Sequence, residues 1–72
     1  MVMQIQTALK ILRRRHVEAK TGLARSSIYQ RIAAGSFPKP INLGGPRAVG
    51  WVESEIDQWI EERMIASRKE EQ

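Results

Sequence analysis

The chain has 72 residues, of which 42% are hydrophobic and 28% charged, with no cysteine and a single histidine. This length corresponds to one small domain. The missing cysteines exclude disulfides, zinc fingers and thiol catalysis, and one histidine leaves no clustered metal site, so we expect no metal and no cofactor. No apolar run approaches the roughly 20 residues that span a bilayer, and the N-terminal residues lack the pattern of a signal peptide. We therefore expect a cytoplasmic protein without a membrane partner.

Positive charge is concentrated in the first two thirds of the chain. Residues 1–50 contain nine lysines and arginines and one acid, a net charge of +8, whereas residues 51–72 contain three bases and seven acids, a net charge of −4. A basic segment of this kind indicates a phosphate-bearing partner such as nucleic acid. The alternative is a basic surface that is only solvated.

The N-terminal segment has two interpretations. Ile5, Ala8, Leu9 and Leu12 have helical spacing, whereas Ile11 to Arg13 would equally fit a short strand. We expect residues 1–10 to form an N-terminal arm, followed by a helix near residues 14–21 that ends at Gly22. Three arginines, at positions 13, 14 and 15, lie where they oppose the helix dipole. They favour phosphate contact, or they are simply solvated.

A second helix follows closely and gives residues 17–35 the pattern of a helix-turn-helix. Ile28 and Ile32 lie four residues apart on one face, and Ser26 and Gln30 lie on the opposite face. The helix should begin near Ala24 or Arg25 and end at Gly35. Because alanine has no capping oxygen, we expect Ser26 or Ser27 to cap the helix instead, or Ser27 to bond back from its first turn.

Two short strands are predicted after this helix. Pro38 and Pro40 exclude a helix, and residues 41–43 and 48–51 alternate like strands around a turn at Gly44 to Arg47. The resulting β-hairpin has Lys39 near its base and Arg47 near its tip. The second helix of a helix-turn-helix is the recognition helix, which enters the major groove of DNA. A hairpin after it is a wing that contacts phosphates or the minor groove. The alternative is a hairpin that only covers the core.

The last predicted helix spans residues 53–67, with a capping box formed by Ser54 and Asp57 and a tail over residues 68–72. Ile65 lies beside the apolar stripe of this helix, on its exposed side. We expect Phe37, Trp51 and Trp59 to be the bulkiest core residues. The stripe itself consists of Val52, Ile56, Trp59, Ile60 and Met64.

No pattern of catalytic residues is present. Ser26 and Ser27 are not surrounded by a G-x-S-x-G motif, and Gly44 and Gly45 lack the following lysine and hydroxyl residue of a phosphate loop. The acids near residue 55 are explained by their place at a helix N-terminus. We therefore expect a protein that is not an enzyme and has no small-molecule ligand.

Three motifs in order resemble those of one known family. They are T-G-L-x-R-S-S-I-Y at 21–29, F-P-K-P at 37–40 and R-A-V-G-W-x-x-S-E-I-D-x-W at 47–59. Over residues 11–66 the chain resembles the AlpA family of prophage regulators, which are small winged helix-turn-helix proteins related to phage excisionases and to the DNA-binding domain of MerR-type regulators. Ala24 stands where the family usually has serine.

The resemblance implies a mostly α fold with a small β-hairpin, a winged helix-turn-helix over residues 11–67. It also implies a sequence-specific protein of prophage or genomic-island type that binds double-stranded DNA on the nucleoid. Such a protein regulates an integrase gene, acts as an excisionase, or does both. The rival hypothesis is a protein-interaction module that docks its acidic last helix on an integrase, a like subunit or another partner without itself reading DNA.

The expected DNA contacts come from three segments. The recognition helix contributes Arg25, Ser26, Ser27, Tyr29, Gln30 and Arg31, the wing contributes Lys39 and Arg47, and Arg13, Arg14 and Arg15 contact phosphates ahead of the first helix.

Overall fold

A computed structural model of the chain describes residues 9–70. It consists of three helices and a small antiparallel sheet, which confirms the predicted winged helix-turn-helix architecture. The elements in chain order are β1 (Ile11–Leu12), α1 (Arg14–Thr21), α2 (Arg25–Ala33), β2 (Ile41–Asn42), β3 (Val49–Val52) and α3 (Glu53–Glu70).

The sheet has three strands, with β3 between β1 and β2. Both pairings are antiparallel: Leu12 lies opposite Trp51, and Ile41 lies opposite Gly50. The strand interpretation of residues 11–13 is therefore right for Ile11 and Leu12, and the predicted hairpin gains a third strand. The predictions made for residues 1–8 fall outside the part of the chain that the structure describes.

The core lies between the sheet and the three helices. Trp51 is fully buried, and its indole N–H donates a hydrogen bond to the carbonyl oxygen of Pro38 at 3.0 Å, so its one polar atom is satisfied. Partly buried side chains, among them Leu23 and Ile32, surround this centre. The buried side chains are Leu12, Val17, Ile28, Phe37, Trp51 and Ile56.

The lower half of α3 differs from prediction. The helix continues to Glu70, three residues beyond the predicted end, and Ser54 lies inside its first turn, so the capping-box prediction is wrong. Met64 is 43% exposed because α3 extends past the body of the domain. Trp59 is only partly buried at the edge of the core, where its indole N–H donates to the carbonyl oxygen of Ser36 at 2.8 Å. Ile65 is exposed, as predicted.

Helix ends in the helix-turn-helix follow the glycine pattern but not the predicted cap. Gly22 adopts a φ of 77°, and its N–H donates to the carbonyl oxygen of Glu18, which ends α1 as expected. Ala24 occupies the N-cap position of α2 in an extended conformation, and no side chain caps this helix. The prediction that Ser26 or Ser27 replaces the cap is therefore wrong, since both residues lie inside the first turn.

Lys20 connects the helix-turn-helix to the last helix. Its ammonium group lies 2.7 Å from a carboxylate oxygen of Asp57 and 2.8 Å from one of Glu53. Hydrogen bonds to Asp57 and then to Glu53 raise the pKa of Lys20 above its ordinary value. These contacts join the end of α1 to the start of α3.

Each helix within residues 9–70 is too short or too polar to span a lipid bilayer.

Candidate nucleic-acid interface

Helix α2 presents one polar face to solvent. Ile28 is buried and anchors the opposite face in the core, which leaves Ser26 and Gln30 exposed on the outside. Arg25 and Tyr29 lie on one flank of this face, and both are exposed. The exposed and buried sides of α2 thus match the spacing of its residues, except that Ser27 is half-buried and so less accessible than its neighbours.

A basic groove of about 860 Å³ lies beside this face. Three separate segments line it, namely the start of α1, the first turn of α2 and the wing, and no acidic side chain is among its lining residues. The groove is lined by Arg13, Arg14, Arg15, His16, Arg25, Tyr29, Arg47 and Val49. Five of the predicted arginines are therefore brought together by the fold.

The five arginines of the groove are not equivalent. Arg14 forms an ion pair with Glu18 one turn later in α1, with Nε and Oε2 3.0 Å apart. This partner reduces the attraction of Arg14 for an external phosphate. Within residues 9–70 no ion pair involves the other four, so their guanidinium groups can act on a ligand. The sum is a strongly positive groove with four unpaired guanidinium groups.

Aromatic contacts support Arg25. Its guanidinium carbon lies 5.9 Å from the centre of the Tyr29 ring, within the range of a cation–π contact. The Tyr29 ring in turn meets buried Trp51 edge-on, with ring centres 6.4 Å apart. A basic side chain of the groove is thus joined to the core through one aromatic ring.

The wing presents Arg47 through a tight turn. Asn42 accepts a hydrogen bond from the N–H of Gly44 at 2.7 Å through its side chain, and the N–H of Leu43 donates to the carbonyl oxygen of Ala48 at 2.6 Å. Arg47 has a φ of 65°, which is uncommon for a residue with a side chain. The turn therefore holds Arg47 at the edge of the groove in a backbone conformation that is unfavourable for arginine.

Other predicted contacts lie outside the groove. Ser26 and Gln30 lie next to it on the exposed face of α2, whereas the Arg31 guanidinium is on the other flank, 5.9 Å from the Trp59 ring centre. Lys39 is exposed at the base of the wing and does not line the groove. His16 does line it, although it was not predicted. Its position directly after the three arginines is the sequence feature that could have predicted this.

Comparisons with known proteins identify a matching family and two similar proteins. The family model described as "Prophage CP4-57 regulatory protein (AlpA)" matches residues 10–64. The chain is 42% identical over 67 residues to the DNA-binding transcriptional activator AlpA of Escherichia coli (strain K12), covering 85% of this chain and 94% of that protein. It is 43% identical over 63 residues to the uncharacterized protein ORF88 of Enterobacteria phage P4, covering 88% and 69%. No solved structure matches the chain.

The match with the family model extends from the strand before α1 to the middle of α3, so it includes the helix-turn-helix, the wing and the groove. The matching family is one of regulatory proteins and not of enzymes, as expected from the absence of a catalytic pattern. The chain belongs to the AlpA family of prophage regulatory proteins.

Proposed function

We propose that this protein binds duplex DNA, reading bases with the exposed face of α2 and holding phosphates with the basic groove. The observation that carries the proposal is the convergence of Arg13, Arg15, Arg25 and Arg47 on one groove without an acidic neighbour in its lining. Arginine from several segments around one helix is the arrangement that positions a recognition helix on the DNA backbone. The E. coli relative, which is named a DNA-binding protein, supports the same function.

The dimensions of α2 suit the major groove. An α-helix with its side chains is about 10–12 Å across, and the major groove is about 12 Å wide. Ser26 and Gln30 project from the side opposite buried Ile28, so they would meet base edges when the helix enters the groove. Glutamine can make two hydrogen bonds to adenine, whereas serine is less selective. Gln30 is therefore the main candidate for base recognition.

The phosphate contacts are proposed for both sides of that helix. Arg13 and Arg15 come from the start of α1, and Arg47 comes from the wing, so the two groups would contact the backbone at separate positions. Arg14 has a lesser role because Glu18 already neutralises it. Arg31 and Lys39 are exposed and lie outside the groove, and we propose peripheral phosphate contacts for them.

The biological role proposed is regulation within a prophage or genomic island. The protein would act at an integrase promoter as a transcriptional regulator, at an attachment site as an excisionase, or at both. Binding to chromosomal DNA would place it on the nucleoid. Contacts with an integrase or with further copies on repeated sites would accompany either role.

The groove is tested by neutralising its arginines and measuring DNA affinity over a salt series. We expect Arg13→Gln combined with Arg15→Gln to weaken binding to every duplex and to reduce the salt slope by about two units, one for each lost phosphate contact. Arg63→Gln is the matched control, because Arg63 is an exposed arginine on α3 away from the groove. Equal losses in the control, or no binding to any duplex at low salt, would contradict the proposal.

Footprinting on the DNA that flanks the gene separates the two roles. Protection of short repeated sites within an attachment region supports the excisionase role, and protection of a promoter alone supports the regulatory one. If no DNA is protected at low salt, docking of the acidic last helix on a protein partner becomes the better account of the function.

A further inference from the structure

The second half of α3 extends beyond the domain. Ile56 is buried and Trp59 and Ile60 are partly buried, but no residue after Ile60 belongs to the core cluster or packs against it. The remaining ten residues, 61–70, extend about 15 Å further. Within that stretch every residue except Ala66 is exposed. This half of the helix contributes little to the core that positions the basic groove.

An apolar residue lies at the centre of this projection. Ile65 is 53% exposed, and it lies nine residues after buried Ile56, which places it half a turn away from the core side of the helix. No part of the domain between residues 9 and 70 can therefore cover it. Glu61 and Glu62 lie one helix turn before Ile65, and Arg68 and Lys69 lie one turn after it. We call these five residues the outer face of α3.

The charges of the outer face are not neutralised within the described part of the chain. Glu62 accepts a hydrogen bond from the Gln58 side chain at 3.2 Å, but no ion pair within residues 9–70 involves Glu61, Glu62, Arg68 or Lys69. The face is thus acidic at one end, basic at the other and apolar in the middle. Such a pattern is self-complementary when it meets a copy of itself in the reverse direction.

We propose that the outer faces of α3 from two copies of this chain pack antiparallel about a two-fold axis at Ile65. In this register Ile65 meets Ile65 of the second copy, Glu61 lies opposite Arg68, and Glu62 lies opposite Lys69, because each of these pairs is on the same side of the helix. The symmetry repeats both pairs, so four ion pairs surround a central apolar contact. The two domains attach to opposite sides and opposite ends of the helix pair, so they do not collide.

The contact is small, and this determines how it must be measured. Ten residues of helix from each copy bury less than the 1,200–2,000 Å² of a standard stable interface. The dimer is therefore weak in dilute solution and forms at high protein concentration or where two copies are held close together. The inference does not rest on the DNA-binding proposal, and it is tested on the free protein.

Cross-linking tests the register directly, because the chain has no cysteine of its own. The two-fold axis brings position 65 against its symmetry mate, so Ile65→Cys should form an intermolecular disulfide under mild oxidation. The control is Ser67→Cys, since Ser67 is also exposed but lies on the other side of the helix. We expect Ile65→Cys to cross-link on the order of tenfold faster or more, because the paired thiols have a high effective concentration.

Two charge-reversal variants test the ion pairs, and mixing the two variants should restore association. One variant carries Glu61→Lys and Glu62→Arg, which makes all four charges positive, and the other carries Arg68→Glu and Lys69→Glu, which makes them all negative. Each variant alone should sediment as a monomer at concentrations where the wild-type chain associates. An equal mixture should associate at least as strongly as the wild type, since all four opposite pairs are then present.

Circular dichroism of each variant checks that α3 remains folded, as expected for exposed positions. The proposal is overturned if the two cysteine variants cross-link at the same rate. It is equally overturned if the mixture of charge variants stays monomeric, or if the wild-type chain stays monomeric at millimolar concentration. None of these results bears on the groove, because DNA is absent from every measurement.

Discussion

Gln30 is the residue on which sequence recognition should depend most. It is exposed on the face of α2 opposite buried Ile28, and its amide can pair with an adenine edge. We predict that Gln30→Ala costs about 1–3 kcal/mol of binding free energy on the cognate site and little on random DNA. Fluorescence anisotropy with the footprinted site and a scrambled duplex measures the difference.

The control for this change is Gln58→Ala, which removes the same side chain from an exposed position of α3. It should leave both affinities unchanged. An equal loss of affinity on cognate and random DNA for Gln30→Ala would show that Gln30 does not read bases.

Arg47 should contribute to affinity without contributing to specificity. Because its φ is 65°, asparagine is the best neutral replacement, since asparagine accepts this conformation more readily than most residues. We predict that Arg47→Asn weakens binding to all sequences and lowers the salt slope by about one unit. Titrations at several salt concentrations measure the slope.

Arg47→Lys keeps the charge and should keep the slope. A slope that stays unchanged in Arg47→Asn would place Arg47 away from the phosphates and leave the wing as a cover for the core.

At the scale of single elements, α2 lacks a cap that its backbone is ready to accept. Ala24 already has the extended conformation of an N-cap residue, with φ −76° and ψ 161°, but it has no side-chain oxygen to offer the free N–H groups of the first turn. We predict that Ala24→Ser raises the free energy of unfolding by about 0.5–2 kcal/mol. Urea denaturation followed by circular dichroism measures it.

Ala33→Ser is the control for the cap, because Ala33 ends the same helix, where no N–H group is free. It should give no gain in stability. If Ala24→Ser also gives no gain in stability, the free N–H groups in the first turn of α2 are already hydrogen-bonded to solvent.

At the scale of the whole molecule, Gly50 allows the three strands to come together. A Cβ atom at this position would clash with Cγ2 of Ile11, lie 3.1 Å from the carbonyl oxygen of Leu12 and lie 3.2 Å from Cδ1 of Leu43. Two of these neighbours belong to β1, which lies almost forty residues away in sequence. We predict that Gly50→Ala lowers the free energy of unfolding by about 1–3 kcal/mol, as for other overpacked sites.

Gly45→Ala is the matched control, because its nearest neighbour would be Cβ of Ala48 at an ordinary 3.6 Å. Its stability should change by less than about 1 kcal/mol. Urea denaturation of both variants measures the contrast, and equal stabilities would show that β1 can move away without cost.

Local patterns in the chain were sufficient for most of the helix-turn-helix. Gly22 ends α1, Pro38 and Pro40 exclude a helix ahead of the wing, and the spacing of Ile28 and Ile32 identifies the core side of α2. These features depend on backbone conformation and side-chain spacing within a few residues, so they can be read without knowing the rest of the fold. The recognition face of α2 follows from the same spacing.

Contacts between distant residues settled the remainder. The pairing of Leu12 with Trp51 turned an ambiguous segment into a strand, and the departure of α3 from the body left Met64 exposed although its spacing fits the apolar stripe. Likewise the arginines belong to three separate segments, and they line one groove because the wing lies beside α2. Periodicity shows which side of an element is apolar, but how far a neighbouring element covers that side depends on packing across the whole chain.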